Sequence, residues 1–431
     1  MDLLKNIFKG DKVIWIIFLC LCLISIVEVF SAASTLTYKS GDHWGPITQH
    51  SVILMVGAVL VVLMHNIPYK WFQVFPVFLY PISLLLLAFV TIMGIVTGDR
   101  VNGAARWMTF MGVQFQPSEL AKMAIIIAVS FILSKRQDDE GANPKAFKYI
   151  MIITGIALLL IAPENLSTAM LLFGVVFIMM FIGRVAAKKL LLLVGGIVLI
   201  GAIGVGTVVA IPAKTLHNTP GLHRLETWQN RIKGFFDKEE VPAARFDIDK
   251  DGQIAHARIA IATSNVVGKG PGNSIQRDFL SQAFSDFIFA IVIEEMGLIG
   301  GIFVVFLYLW LLIRAGRIAQ KCDRTFPAFL VMGIALLLVS QAILNMMVAV
   351  GLFPVTGQPL PLISKGGTST LINCAYIGMI LSISRYTARL EEQKAHDARI
   401  QMQIEAGTAE SQAQTAVEPT SEMLNNDSKF E

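Results

Sequence analysis

The sequence has few charged residues and few cysteines for its length. Of 431 residues only 15% are Asp, Glu, Lys or Arg, whereas soluble domains carry about 25%. The formal net charge is only +4, and no basic cluster indicates a nucleic-acid-binding face. The four cysteines (Cys20, Cys22, Cys322 and Cys374) lack metal-ligand spacing and lie outside the polar segment 213–286. No disulfide framework is therefore predicted.

Apolar residues make up 55% of the chain, and the mean hydropathy is +0.64. Because about 20 apolar residues cross a bilayer as a helix, we predict an all-α integral membrane protein with about ten transmembrane helices. The first run is longer than the apolar core of a signal peptide and is interpreted as a span. The predicted spans are 13–34, 47–67, 74–98, 118–134, 149–163, 166–183, 190–212, 287–313, 326–351 and 368–384.

The charges of the short loops predict the orientation. With a cytoplasmic N-terminus, the inside loops hold fifteen Lys and Arg residues and the outside loops hold four, as the positive-inside rule requires. The membrane domain, 1–384, then carries a large extracytoplasmic loop, 213–286, between the seventh and eighth helices. Residues 385–431 form a cytoplasmic tail, whose polar composition predicts disorder beyond Gln403.

Ionisable side chains at membrane depth are costly and are therefore functional candidates. We expect four of them, Glu119, Lys122, Glu164 and Asp286, at the extracytoplasmic ends of their spans, around a cavity open to that side. The full set is Glu28, Glu119, Lys122, Glu164, Asp286, Glu294 and Glu295.

Residues 115–122 predict the start of a helix, because Pro117 suits the first turn and Glu119 lies near the positive end of the helix dipole. Lys122 lies three residues later on the same face. Two interpretations remain open. The pair either neutralises itself, or Glu119 holds Lys122 as a fixed cation for an anionic substrate.

Asp286 lies between the polar loop and an apolar run. Partial desolvation there makes a carboxylate a better general base, whereas helix N-capping is the structural alternative. In a straight helix Glu294 lies about 80° round from Asp286, and Glu295 points away. Glu294 then lines the same cavity more deeply, or either glutamate forms an interhelical hydrogen bond.

Two segments rich in glycine and proline, 268–276 and 354–369, lie on the same predicted side. The first is not a P-loop, since its Gly-Lys pair is followed by Gly270. Non-helical backbone at the depth of the second must be buried in protein or face water.

These segments occur in a characteristic order. The sequence contains GAARW at 103–107, QPSELAK at 116–122, GKGPGNSIQ at 268–276, SDFIFA at 285–290, EEMG at 294–297 and LPLISKGGTS at 360–369. From Val13 to Arg385 the chain resembles the shape, elongation, division and sporulation family of bacterial peptidoglycan glycosyltransferases. SAAS at 31–34 and LPLIS at 360–364 resemble the division branch more than the elongation branch. Glu164 and Lys365 depart from the usual aspartate and tyrosine.

The resemblance implies that two lipid II molecules enter a cavity facing the periplasm. A sugar hydroxyl of one attacks the anomeric carbon of the other with inversion and expels undecaprenyl diphosphate. Asp286 is implied as the base, and Lys122 and Arg106 as the cations for the diphosphate. Glu119 and Glu164 would orient Lys122 or a divalent cation, magnesium or manganese, whose ligands the sequence does not reveal. Further substrate-binding candidates are Asn273, Ser274, Gln276, Ser364, Gly366 and Gly367.

The resemblance also implies a partner, a class B penicillin-binding protein with one transmembrane helix, and contacts with other division proteins at the septum of the inner membrane. A lipid II flippase would use the same charged cavity, but midplane charges, which transporters favour, are scarce. A non-catalytic scaffold would tolerate the loss of Asp286. The elongation-type polymerase is the remaining alternative.

Overall fold

The computed structural model describes residues 9–32, 45–96, 108–110, 113–138, 141–211, 229, 248–280 and 283–426. Its helices are α1 (Lys12–Ala32), α2 (Gly45–Asn66), α3 (Tyr69–Phe72), α4 (Phe75–Val96), α5 (Pro117–Lys135), α6 (Pro144–Ile161), α7 (Leu166–Ile182), α8 (Ala187–Ala210), α9 (Ile248–Ala262), α10 (Ile288–Gln320), α11 (Thr325–Ala349) and α12 (Thr368–Asn426). Two short antiparallel hairpins pair β1 (Met108–Phe110) with β2 (Val113–Phe115), and β3 (Gln137–Asp138) with β4 (Gly141–Ala142).

The helices confirm the predicted all-α membrane fold. Within the described ranges, eight helices are long and apolar enough to cross a bilayer. Two further predicted spans coincide with α7, a shorter apolar helix, and with the first part of α12. The count of ten spans and the position of the large loop stay predictions.

The bundle has central and peripheral helices. In the most apolar 18 residues of each helix, 78% of the residues are buried in α5 and 61% in α11, but only 6% in α8. The outer helices therefore present apolar side chains that suit lipid contact. The two central helices pack against each other, and both carry polar residues of the site described below.

Helix α10 is broken at Gly297, where φ is 71° and ψ is −174°. From Gly297 the helix passes along α1 as far as Arg314, whose Nε lies 2.6 Å from Asp11 at the start of α1, and it ends at Gln320. At the break, Glu295 accepts a hydrogen bond from Ser31 at the other end of α1. The part after Gly297 thus matches the length of α1, and residues 288–296 form a separate shorter helix.

The segment between α11 and α12 enters the bundle. Ser25 Oγ donates a hydrogen bond of 2.7 Å to Ile363 O, and Tyr308 Oη donates to Pro361 O. Ser25 lies seven residues before Ala32, which is about 10 Å along a helix. Non-helical backbone therefore reaches membrane depth, where Leu360 and Ile363 are buried in protein, as the sequence analysis required.

Helix α12 continues from the last predicted span into the tail and ends at Asn426. Ala, Gln and Glu, which are frequent in the tail, are strong helix formers. The disorder expected beyond Gln403 stays a prediction. Of the large loop, the structure describes Gln229, residues 248–280, which include α9, and residues 283–286.

Candidate active site

Asp286 lies deeper in the bundle than the sequence predicts. Ser364 Oγ donates a hydrogen bond of 2.7 Å to Ser285 O, next to Ile363, which is bonded to Ser25. The short helix 288–296 then leads from Asp286 to Glu295 at the Ser31 end of α1. The expectation that Asp286 marks the outer end of a straight span was therefore wrong, because the break at Gly297 turns the preceding residues back into the bundle.

The backbone around Asp286 is held from two sides. Asn345 Nδ2, on α11, donates hydrogen bonds to Asp286 O at 2.9 Å and to Gln358 O at 2.8 Å. The half-buried Asp286 carboxylate accepts a hydrogen bond of 3.0 Å from Ser285 Oγ. Phe287, and not Asp286, occupies the N-cap position of α10. This arrangement fixes a carboxylate in place, as a general base requires.

Lys122 and Glu119 form the predicted pair at the start of α5. Lys122 Nζ lies 2.7 Å from Glu119 Oε1, and both side chains are almost fully buried. The same ammonium donates a hydrogen bond of 3.0 Å to Gln341 Oε1 on α11. Gln341 Nε2 in turn donates to Pro359 O at 3.1 Å. The pair thus links α5 to α11 and to the segment that enters the bundle.

The loop 268–276 is organised around two buried glutamates. Lys269 Nζ lies 2.6 Å from Glu294 Oε1, and the backbone N–H groups of Ile275 and Gln276 donate to Glu294. The Ser274 N–H donates to Glu295 Oε1 at 3.1 Å. Glu295 thus faces the loop and also accepts a hydrogen bond from Ser31 on α1, an interhelical contact, while the expectation that it points away from Asp286 stays a prediction.

The other loop candidates support this structure. Asn273 Nδ2 donates to Lys269 O at 3.0 Å, and Ser274 Oγ donates to Glu294. Gln276 Oε1 lies 2.7 Å from His256 Nδ1 on α9. A role of these residues over the sugars stays a prediction.

Glu164 lies in a separate cleft at the N-terminal end of α5. Glu164 and Asn165, in the turn between α6 and α7, face Gln116 and Ser118, and α4 contributes an apolar wall with Leu87. Asn165 Nδ2 and Ser118 Oγ are buried and have no hydrogen-bond partner among the described residues. Polar groups of this kind suit a polar ligand or water.

The remaining predicted residues are placed as follows. Ser364 Oγ also accepts a hydrogen bond of 2.8 Å from Leu360 N, and Gly366 O accepts one from Ser369 Oγ. Gly367, at φ 48°, lies close to Gln114 O in β2. Arg106 lies outside the described residues. No group of three or more His, Cys, Asp or Glu side chains suited to a metal ion occurs in the described parts of the chain, and the divalent cation stays a prediction.

Gln341 and Asn345 are site residues that the sequence analysis missed. Their side-chain amides are neutral, whereas the predicted site residues within the spans were chosen because they are ionisable. Polar amides one turn apart in the apolar helix α11 were the available signal, since polar side chains within membrane spans need partners.

Residues 11–389 match the family of FtsW, RodA and SpoVE, described as cell cycle proteins. The chain belongs to this family. A probable peptidoglycan glycosyltransferase FtsW of Trichlorobacter lovleyi is 33% identical over 390 residues, which cover 89% of this chain and 96% of the relative. A protein of the same description from Halomonas elongata is 31% identical and covers 88% and 91%.

Solved structures show the same fold in this family of cell cycle proteins. A chain from a peptidoglycan synthase complex that coordinates polymerisation and crosslinking has a TM-score of 0.69 at 24% identity, covering 88% of this chain and 99% of its own. RodA of Thermus thermophilus has a TM-score of 0.59 at 24% identity, covering 88% and 98%. The predicted family, multi-pass helical fold and enzyme class, a peptidoglycan glycosyltransferase, are confirmed.

Proposed function

We propose that the protein joins lipid II molecules into glycan strands and that Asp286 is the general base. The 4-hydroxyl of one lipid II attacks the anomeric carbon of another, and Asp286 accepts the hydroxyl proton. The bond from the anomeric carbon to the diphosphate breaks, and its electron pair leaves with undecaprenyl diphosphate. The position of Asp286 carries this proposal. Its carboxylate lies deeper in the bundle than the ends of the transmembrane helices, and hydrogen bonds from Ser364 and Asn345 hold the backbone at Ser285 and Asp286.

The orientation belongs to the same proposal. The Ser31 end of α1 would face the periplasm, where the lipid-linked sugars are joined, and the Asp11–Arg314 end the cytoplasm. The excess of Lys and Arg in the loops of the latter end supports this assignment. The protein would then lie in the inner membrane with both termini in the cytoplasm.

The cellular role proposed is septal synthesis during division. The curated relatives named above carry the name FtsW, whereas RodA is a structural neighbour at lower identity. One neighbour belongs to a complex of polymerisation and crosslinking. We therefore infer that this chain works with a class B penicillin-binding protein, which would crosslink the strands that it polymerises.

The test is polymerisation of labelled lipid II by the full-length protein co-purified with its transpeptidase. Asp286→Asn keeps the size of the side chain and removes its basicity, so we expect product formation to fall by about 10²–10⁴-fold, the usual contribution of general base catalysis. Asp138→Asn is the matched control, since Asp138 is an exposed aspartate just after the C-terminal end of α5, at the opposite end of that helix from Glu119 and Lys122. Equal activity of Asp286→Asn and wild type would refute the proposed base, and a wild-type complex that forms no strands would refute the polymerase.

A further inference from the structure

Lys365 is held beside the backbone of the proposed catalytic base. Its backbone N–H donates a hydrogen bond of 2.9 Å to Phe284 O, and Ser364 Oγ donates to Ser285 O at 2.7 Å. Two successive residues of the entering segment are thus bonded to the two residues that precede Asp286. Lys365 thus directly follows Ser364, whose hydrogen bond to Ser285 O holds the backbone next to Asp286.

The charge of Lys365 has no anionic partner among the residues that the structure describes. The side chain is half-buried, and its Nζ lies 5.9 Å from the centre of the Phe284 ring. Burial lowers the pKa of Lys365. The charge of Lys365 also acts on the buried imidazole of His50 on α2, which supplies no negative charge. A partly desolvated cation beside an aromatic ring and an imidazole is poised to bind an anion, because an anion restores the electrostatic stabilisation that water no longer supplies.

Lys122, the cation expected from the family resemblance, is differently placed. Its ammonium is fully buried and already bound to Glu119 at 2.7 Å and Gln341 at 3.0 Å. Two of its three N–H donors are therefore engaged, and breaking the buried pair with Glu119 is strongly unfavourable. In this arrangement Lys122 serves the packing of α5 against α11.

The turn that follows Lys365 reaches the N-terminal end of α5. Thr368 Oγ1 donates a hydrogen bond of 3.1 Å to Gln114 O, and Gln116 N–H donates to Thr368 Oγ1 at 3.4 Å. Lys365 therefore lies on a connection between the Asp286 backbone and the start of α5. Its charge is carried by the residue next to Ser364, which holds the backbone before the base, and it forms no ion pair with any described carboxylate.

We propose that the Lys365 ammonium binds the diphosphate of the lipid-linked substrate. This inference rests on the proposed function. As the bond from the anomeric carbon to the diphosphate oxygen breaks, negative charge grows on the leaving group, and a fixed cation stabilises it more in the transition state than in the ground state. Lys365 transfers no proton and forms no covalent bond in this step.

The experiment measures binding of undecaprenyl diphosphate, which has the diphosphate but no sugar or peptide, to the full-length complex in nanodiscs. Lys365→Met keeps the length of the side chain and removes the charge, whereas Lys365→Arg keeps the charge. Undecaprenol controls for binding of the lipid tail, and a soluble disaccharide pentapeptide controls for stem carboxylates. Lys321→Met, at an exposed lysine beyond α10 that pairs with Glu391, is the matched control.

We expect Lys365→Met to weaken undecaprenyl diphosphate binding about tenfold, the usual effect of losing a charged hydrogen bond. Lys365→Arg should restore most of the affinity, and undecaprenol binding should not change. Unchanged affinity in Lys365→Met would overturn the inference, as would a loss confined to the disaccharide pentapeptide, which would assign Lys365 to the stem. The binding measurement requires no turnover. A wild type that forms no glycan strands would therefore refute the proposed polymerase function, and the binding of undecaprenyl diphosphate would still test the role of Lys365.

Discussion

The break in α10 gives the sharpest test of how the site is built. At Gly297, φ 71° and ψ −174° lie in a region that is essentially restricted to glycine. A Cβ there would lie 2.3 Å from Val266 O and 2.5 Å from Gly268 N. Both neighbours are backbone atoms, so Gly297→Ala forces the loop 268–276 away from the break.

The expected cost combines two contributions. The backbone conformation alone costs a residue with a side chain about 1–3 kcal/mol. Displacing the loop removes hydrogen bonds from Lys269 N to Glu294 O and from Gly270 N to Glu295 O, each worth about 1 kcal/mol. We therefore expect Gly297→Ala to lower the free energy of unfolding by about 3–5 kcal/mol.

Thermal unfolding of the detergent-solubilised complex, followed by size-exclusion chromatography, measures this effect. Lipid II polymerisation is measured on the same samples below the unfolding temperature, and it should fall because Asp286 lies just before the short helix 288–296, whose direction depends on the break. Gly195→Ala is the control, since Gly195 lies on the exposed α8 with no atom within 4 Å of an added Cβ. It should not lower the unfolding temperature, because alanine favours helix more than glycine does. Wild-type stability and activity in Gly297→Ala would refute the argument.

Three further predictions follow from the site. Lys122→Met leaves Glu119 buried without a cation and should lower the free energy of unfolding, measured by thermal unfolding, by about 3–5 kcal/mol. The Glu119→Gln/Lys122→Met double variant should recover part of this loss. Equal stability of the single and double variants would contradict this. Asn345→Ala frees the Asp286 backbone and should lower kcat about tenfold while KM for lipid II stays near wild type; an effect on KM alone would contradict it. Burial lowers the pKa of Lys365, so its ammonium should lose its charge, and the protein its diphosphate affinity, at a lower pH than for an ordinary lysine. Lys365→Arg should keep its affinity at that pH. Identical pH profiles of wild type and Lys365→Arg would contradict this.

Some local features of the site were readable from the sequence. Helix α5 begins at Pro117 and pairs Glu119 with Lys122 as the spacing predicts, because neighbours three apart on a helix meet without help from the rest of the fold. The partners of Glu295 were not readable. It accepts hydrogen bonds from Ser31 on α1 and from the Ser274 N–H, and the chain at the start of the loop 268–276 packs Val266 and Gly268 against Gly297, about 30 residues later.

Composition, run length and ordered motifs were enough to predict the membrane class, the apolar helices and the family. Which polar groups meet follows from the tertiary structure. It bonds Ser364 to the backbone before Asp286, engages Lys122 with Gln341 and leaves Lys365 without a described carboxylate. These contacts join residues distant in the chain, and in a bundle their pairing depends on helix breaks and on the depth of the entering segment, which no local pattern encodes.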